Sequence, residues 1–171
     1  MSSSVRPLLD RIAKRGSWYG GGSAAALTCA VSAALLEKLL SASSDVRSLR
    51  ALRRRCTGLI DADARTFAGV IKAYYQRDAR LAKRRLKVAI RIPVDVCLAS
   101  GQLLARARRD AHLIKPRYRV DLRCAMELAK AAGASSRALV ETNLAWLDEP
   151  AFARRVRAQL GRRRPNARIA A

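Results

Sequence analysis

An all-α protein is predicted by three features of the sequence. Alanine, leucine and arginine, all strong helix formers, dominate its 171 residues. Only 5 prolines and 9 glycines interrupt them. Extended runs of β-branched and aromatic residues are missing. Half of the chain is hydrophobic, which excludes a disordered segment and supports one domain with a real core. The expectation is a compact bundle of about six to seven helices.

Val5 to Lys14 reads as a short first helix with Gly16 as its stop. Gly20, Gly21 and Gly22 follow, and Ser23 is a natural N-cap for a second helix running to about Ala42. Its small residues Ala26, Ala30, Ala33 and Ala34 let neighbouring backbones approach, which suits a central position. The apolar run from Ala24 to Leu36 is read as too short to span a bilayer, ending at Glu37 and Lys38. Asp45 or Ser44 caps a third helix. Its stripe of Leu49, Leu52, Cys56, Leu59/Ile60, Phe67, Val70/Ile71 and Tyr74 keeps helical spacing, and Asp63 borders it.

A fourth helix carries Leu86, Ala89/Ile90, Val96/Cys97 and Leu104, and Pro93 inside it should kink or split it. The stretch HLIKPRY breaks the pattern. Val120 to Ala132 reads as a fifth helix stopped by Gly133. Ser135 or Ser136 then opens a sixth through Leu139, Asn143 and Trp146. Asp148 caps a last helix, with Pro150 in its first turn and Gly161 at its end. Residues 1–161 form the single expected domain, and residues 162–171 a basic, mobile tail.

The charge is extreme: 35 Lys+Arg against 13 Asp+Glu, a formal +22. It favours a polyanionic partner, whether nucleic acid, anionic lipid or a polycarboxylate ligand, or it is a solvated arginine-rich surface. Cys29, Cys56, Cys97 and Cys124 are widely spaced, and His112 is the only histidine, so no metal site is expected. Each cysteine falls among apolar residues as a small hydrophobe, which fits a reducing cytoplasm. Basic residues Arg6, Arg11, Lys14 and Arg15 precede an apolar segment, but the glycine break between them argues against an export signal. His112 could shuttle a proton or be an ordinary solvated loop histidine.

A glycine loop feeding a helix can aim backbone N–H groups at an anion, with the helix dipole behind them. It can equally be a flexible turn. The wider sequence bears on that choice. The segments GGGSAAALTCAVSAALLEKLL, LIDADARTFAGVIKAY, KVAIRIPVDVCLASGQLL and VDLRCAMELAKAAGASSRALVETNL, in that order, resemble the cyclodeaminase/cyclohydrolase family of tetrahydrofolate one-carbon metabolism. The resemblance covers the chain from about Leu8 to Leu160.

That resemblance implies a helical bundle paired into a homodimer, with folate near the subunit interface. It implies chemistry on the N5–N10 one-carbon bridge without a metal: closure of 5-formiminotetrahydrofolate with release of ammonia, or hydrolysis of 5,10-methenyltetrahydrofolate. A positioned carboxylate suffices for the proton transfers. Gly20, Gly21, Gly22 and Ser23 match the glycine motif, and Asp63 and Phe67 an Asp-Ala-x-x-Phe motif with Asp61 just before it. Asp121 matches the acidic position of a Ser-Asp segment, here Val120-Asp121, and Asn143 an Asn-Leu segment. Asp63, Asp61 and Asp121 are therefore the candidate catalytic residues. Gly20, Gly21, Gly22, Ser23, Phe67 and Asn143 are the candidate ligand contacts.

In place of the family's Pro-Thr-Pro stand Ser17, Trp18 and Tyr19, where Trp18 or Tyr19 could stack on a pterin or merely cover a core edge. The basic run of Arg77, Arg80, Lys83, Arg84 and Arg85 suits a folate polyglutamate tail or a solvated face. Two other readings stay open: an inactive homologue serving as a helical scaffold or sensor, and a basic protein that binds nucleic acid without sequence preference.

Overall fold

The structure, a computed structural model, describes residues 5–42 and 45–161. Six α-helices account for nearly all of them: α1 (Arg6–Ala13), α2 (Gly21–Leu40), α3 (Arg47–Tyr75), α4 (Ala79–Arg109), α5 (Arg119–Leu147) and α6 (Pro150–Gly161). Two short 3-10 turns, Ala111–Leu113 and Pro116–Tyr118, link α4 to α5 where the sequence pattern breaks. No strand occurs among the described residues, so the all-α prediction holds. The predicted tail, residues 162–171, and the alternative cap Ser44 lie outside the described residues.

α2 is the centre of the bundle. It packs against α3, α4 and α5, and Ala26, Cys29 and Ala33 are fully buried on it. Side-chain pairs fix the directions. Ser23 meets Asp63 and Cys29 meets Cys56, so α2 and α3 are antiparallel. Ser32 donates to the Ala125 carbonyl while Gly21 faces Leu139, so α5 is also antiparallel to α2. Arg55 pairs with Asp95 and Arg85 reaches the Gly69 carbonyl, which makes α4 antiparallel to α3.

Two buried clusters share these helices. One, around Leu36, Leu49, Cys56 and Leu103, lies where α2 runs between α3, α4 and α5. The other, around Val70, Ile90, Leu144 and Val156, lies beyond the start of α2, where α6 joins the bundle. Ion pairs Lys87–Glu149 and Arg157–Glu141 hold the α6 end in place.

Several boundary expectations are corrected. Ser23 does not cap α2: the helix begins at Gly21 with Gly20 as N-cap, and the Ser23 side chain turns into the core. Pro93 does not split α4, which runs unbroken for 31 residues with Pro93 buried within it. Gly133 is no stop and neither Ser135 nor Ser136 opens a new helix, because α5 is one 29-residue helix. Gly133 is small because α4 crosses there: a Cβ would lie 3.2 Å from the Ser100 Cβ. Asp148 closes α5 in a left-handed conformation (φ 51°), and Glu149 accepts the first bond of α6. Cys124 is exposed, unlike its buried counterparts Cys29 and Cys56.

By length and composition alone, α2 and α4 are each apolar enough to cross a membrane. The helix extends beyond the apolar run Ala24–Leu36 at both ends. Both helices are half buried within the bundle, as core helices of a packed domain are.

Candidate functional site

The site forms because α2 starts late. Its first turn, Gly21 to Ser23, meets Leu139 of α5 and Asp63 of α3, yet α3 continues about three turns beyond that level and α5 about two. The first N–H groups of α2 have no intrahelical carbonyl, and the N-cap Gly20 has no side chain to cap them; the N–H of Ser23 is directed at Asp63. Those of Gly21 and Gly22 face the space between the two longer helices.

Asp63 is seated against Gly22. A Cβ on Gly22 would overlap the carboxyl carbon and both its oxygens. The close approach, rather than an unusual backbone angle, is what demands glycine here. Gly20 faces open space, and a Cβ on Gly21 would only touch Leu139 at an ordinary 3.7 Å. The three glycines therefore have different roles, and only Gly22 is obligatory for packing.

The Ser23 hydroxyl bridges α2 to α3. Its Oγ lies 2.9 Å from the Ile60 carbonyl and 3.2 Å from Asp63 Oδ2. The hydroxyl donates toward both acceptors, the Ile60 carbonyl being the nearer. Burial pushes the Asp63 pKa up, and the hydroxyl and backbone N–H of Ser23 offset this only in part. The usual counterweight, a cation, is missing among the described residues: Asp63 has no ion pair there, although Glu37, Asp45, Asp95, Asp110, Glu127, Glu141 and Glu149 all do. Among the described residues Asp63 is the one half-buried carboxyl without a basic partner.

A raised carboxyl pKa has a definite effect on stability. The folded state holds the Asp63 proton to higher pH than the unfolded chain does, so stability declines as pH rises from about 4, the unfolded carboxyl range, through the folded value. Above that window the charged, desolvated carboxylate destabilises the fold in full. Asp63→Asn is expected to melt at a higher temperature than the wild type at pH 7, with the advantage vanishing as the pH falls toward 4. Circular-dichroism melts across that range measure it, and a pH-independent difference would contradict it.

The structure treats the other predicted residues unequally. Phe67 lies one turn beyond Asp63 on α3, its ring 6.4 Å from Trp18 and 6.5 Å from Trp146. Asn143 is half buried on α5, one turn after Leu139 and one turn before Trp146. These residues gather at one end of the bundle. Asp61 turns away: it is exposed and accepts a 2.9 Å hydrogen bond from the Tyr19 hydroxyl. Arg11 donates to the same hydroxyl at 3.3 Å, so this chain ties α1 and the glycine loop to α3. Asp121 sits at the start of α5, about 27 Å along that helix from Leu139, and borders a cleft with Lys38, Lys115 and Tyr118. The structure does not bring it to Asp63 within one chain. His112 is exposed, with Nδ1 3.1 Å from the Arg109 carbonyl.

Sequence reasoning missed the aromatic partners of Phe67. Trp146 stacks on Tyr74 at 4.9 Å, so Trp18, Phe67, Trp146 and Tyr74 form a continuous row. The Phe67–Tyr74 interval of two turns was a visible signal, but only the fold brings α5 alongside.

The arrangement of helices is a known one. It superposes on the crystal structure of formiminotetrahydrofolate cyclodeaminase from Thermotoga maritima with a TM-score of 0.87, covering 95% of this chain and 88% of that one at 21% sequence identity. No curated protein matches by sequence. The family pattern described as formiminotransferase-cyclodeaminase, however, fits residues 4–162. That span includes the glycine turn, Asp63 and the aromatic row, and it places this chain in the formiminotransferase-cyclodeaminase family.

Proposed function

We propose that this chain is a folate one-carbon enzyme acting on the N5–N10 bridge of tetrahydrofolate, with Asp63 as its acid/base group. Family and fold support the folate one-carbon role. The observation that carries the catalytic part is the Asp63 carboxyl: half buried, seated on Gly22, bonded to Ser23 and without a cation. Holding such a group costs stability, and perturbed carboxyls of this kind mark functional clefts.

Two reactions suit it. In the deamination, N10 adds to the formimino carbon of 5-formiminotetrahydrofolate and gives up its proton, and the tetrahedral adduct expels ammonia as the formimino nitrogen takes up a proton. In the hydrolysis, water adds to the methenyl carbon and gives up a proton, and the carbon–N5 bond then breaks as the second water proton passes to N5, leaving 10-formyltetrahydrofolate. A carboxyl that keeps its proton to raised pH is a good donor to the leaving nitrogen in the first. The free N–H groups of Gly21 and Gly22 are placed to receive oxygen or anionic groups of the substrate. Arg77, Arg80, Lys83 and Arg84, exposed at the α3–α4 turn, suit a polyglutamate tail. Arg85 is partly committed, donating to the Gly69 carbonyl at 3.2 Å. A cytoplasmic homodimer is part of this reading.

The test is incubation with 5,10-methenyltetrahydrofolate while following the loss of its near-ultraviolet absorbance, and with 5-formiminotetrahydrofolate while measuring ammonia. Turnover of one substrate names the reaction. Turnover of neither overturns the enzyme reading in favour of a helical scaffold.

A further inference from the structure

The row Trp18–Phe67–Trp146–Tyr74 is unusual for a core-forming set of rings, because each member is between 37 and 45% exposed. A contiguous, exposed apolar patch on a packed domain marks a place where something binds. The cause is architectural. Beyond Gly21 there is no α2 to cover the inner faces of α3 and α5, and these four rings occupy that gap. Tyr74 and Trp146 are stacked on each other, 19° from parallel, so the pair offers an outer ring face and its edges to a further ring. Phe67 and Trp18 are tilted by about 60° and flank it.

The order along α3 specifies what fits. Asp63 comes first, Phe67 one turn later, Tyr74 about 16 Å along the helix, and Arg77 just beyond. Arg77, Arg80, Lys83 and Arg84 are exposed and without ion-pair partners among the described residues. The sequence of chemistries is therefore acid/base group, aromatic surface, positive charge. A tetrahydrofolate has the matching order: the reacting N5–N10 bridge, then the p-aminobenzoyl ring, then the anionic glutamate tail.

On the folate reading above, we propose that this row is the stacking surface for the p-aminobenzoyl ring, with the glutamate tail directed at the α3–α4 turn. The opposite orientation, with the pterin on the row, points the anionic tail away from the four free cations. Trp146 and Tyr74 act here as specificity-determining residues: they hold the ring that sets where the bridge meets Asp63, and they take no part in proton transfer. Stacking on such rings is worth roughly tenfold or more in affinity for each ring engaged.

The chain's two tryptophans, Trp18 and Trp146, are both in the row, so intrinsic tryptophan fluorescence reports on it directly. The experiment compares wild type, Trp146→Ala and Trp146→Phe in steady-state folate turnover and in fluorescence titration with p-aminobenzoyl-triglutamate. Trp146→Ala is expected to raise KM about tenfold or more while kcat falls less than about threefold, and to weaken the fragment to the same degree. Trp146→Phe, which keeps a stacking ring, restores most of both.

A folded Trp146→Ala protein with wild-type KM, in an enzyme that Asp63→Asn inactivates, overturns the row and leaves the folate reading standing. If the wild type turns over no folate yet the fragment quenches its fluorescence saturably, and Trp146→Ala abolishes this, the row is supported and the reaction assignment fails. Preferential binding of free pterin over the fragment overturns the orientation. Conversion of a wild-type dimer to a monomer by Trp146→Ala, seen by sedimentation, overturns the proposal by making the row a contact between copies.

Discussion

Replacing Asp63 by asparagine is expected to lower folate turnover by more than about 100-fold, the scale of a lost general acid/base group. Asparagine keeps the shape of the side chain against Gly22 and can still bond Ser23. The fold should therefore survive, and at neutral pH the variant should be the more stable protein, because the desolvated charge is gone. A variant that is both more stable and inactive separates a catalytic role from a structural one. Turnover assays beside melting curves on the same preparation make the comparison. Normal turnover by Asp63→Asn would remove Asp63 from the chemistry, and Asp61, tied to Tyr19, would be the next to replace.

Gly22→Val is expected to be the most damaging substitution in the glycine loop. Its Cβ would stand where the Asp63 carboxyl is, so α2 and α3 must separate or Asp63 must swing out. Overpacking of this kind costs about 1–3 kcal/mol, and turnover should fall as well because the acid group is displaced. Gly20→Ala is the internal control: a Cβ there meets nothing within 4 Å, and the change should stay within about 0.5 kcal/mol. Urea denaturation of both variants measures the difference. Equal effects at positions 20 and 22 would mean that the loop is only a flexible turn. Combining Gly22→Ala with Asp63→Ala should recover much of the stability lost in Gly22→Ala alone, the non-additivity expected of touching residues.

The helical class, the element order and the buried character of the second helix were legible because apolar spacing and composition report them directly. Helix ends were less so. Gly133 and Ser136 carry the local signature of a stop and a restart, yet α5 passes through both, since packing against α2 and α4 outweighs a local preference of about 1 kcal/mol. Ser136 ends fully buried with its hydroxyl unpartnered, which no cap-forming role would leave. Asp63 could be singled out from its place beside an apolar stripe. What made it distinctive, the missing cation and the glycine beneath it, depends on residues some forty positions away and is visible only after folding. Asp121 is the converse case. A motif position says nothing of distance, and the length of α5 carries that residue to the far end of the bundle.

The contact between Gly22 and Asp63 also bears on how such a chain can drift under selection. A descendant kept only as a scaffold would gain stability by exchanging Asp63 for a small apolar residue. It could then exchange Gly22 for alanine, a gain of up to about 1 kcal/mol in helix propensity. Each exchange unlocks the next, and neither would be opposed once turnover ceased to matter. This chain has taken neither step. Its glycine is an inexpensive genetic marker: in any diverged copy of this bundle, a side chain at the position of Gly22 leaves no seat for the carboxyl, and the acid/base role proposed for it goes with it.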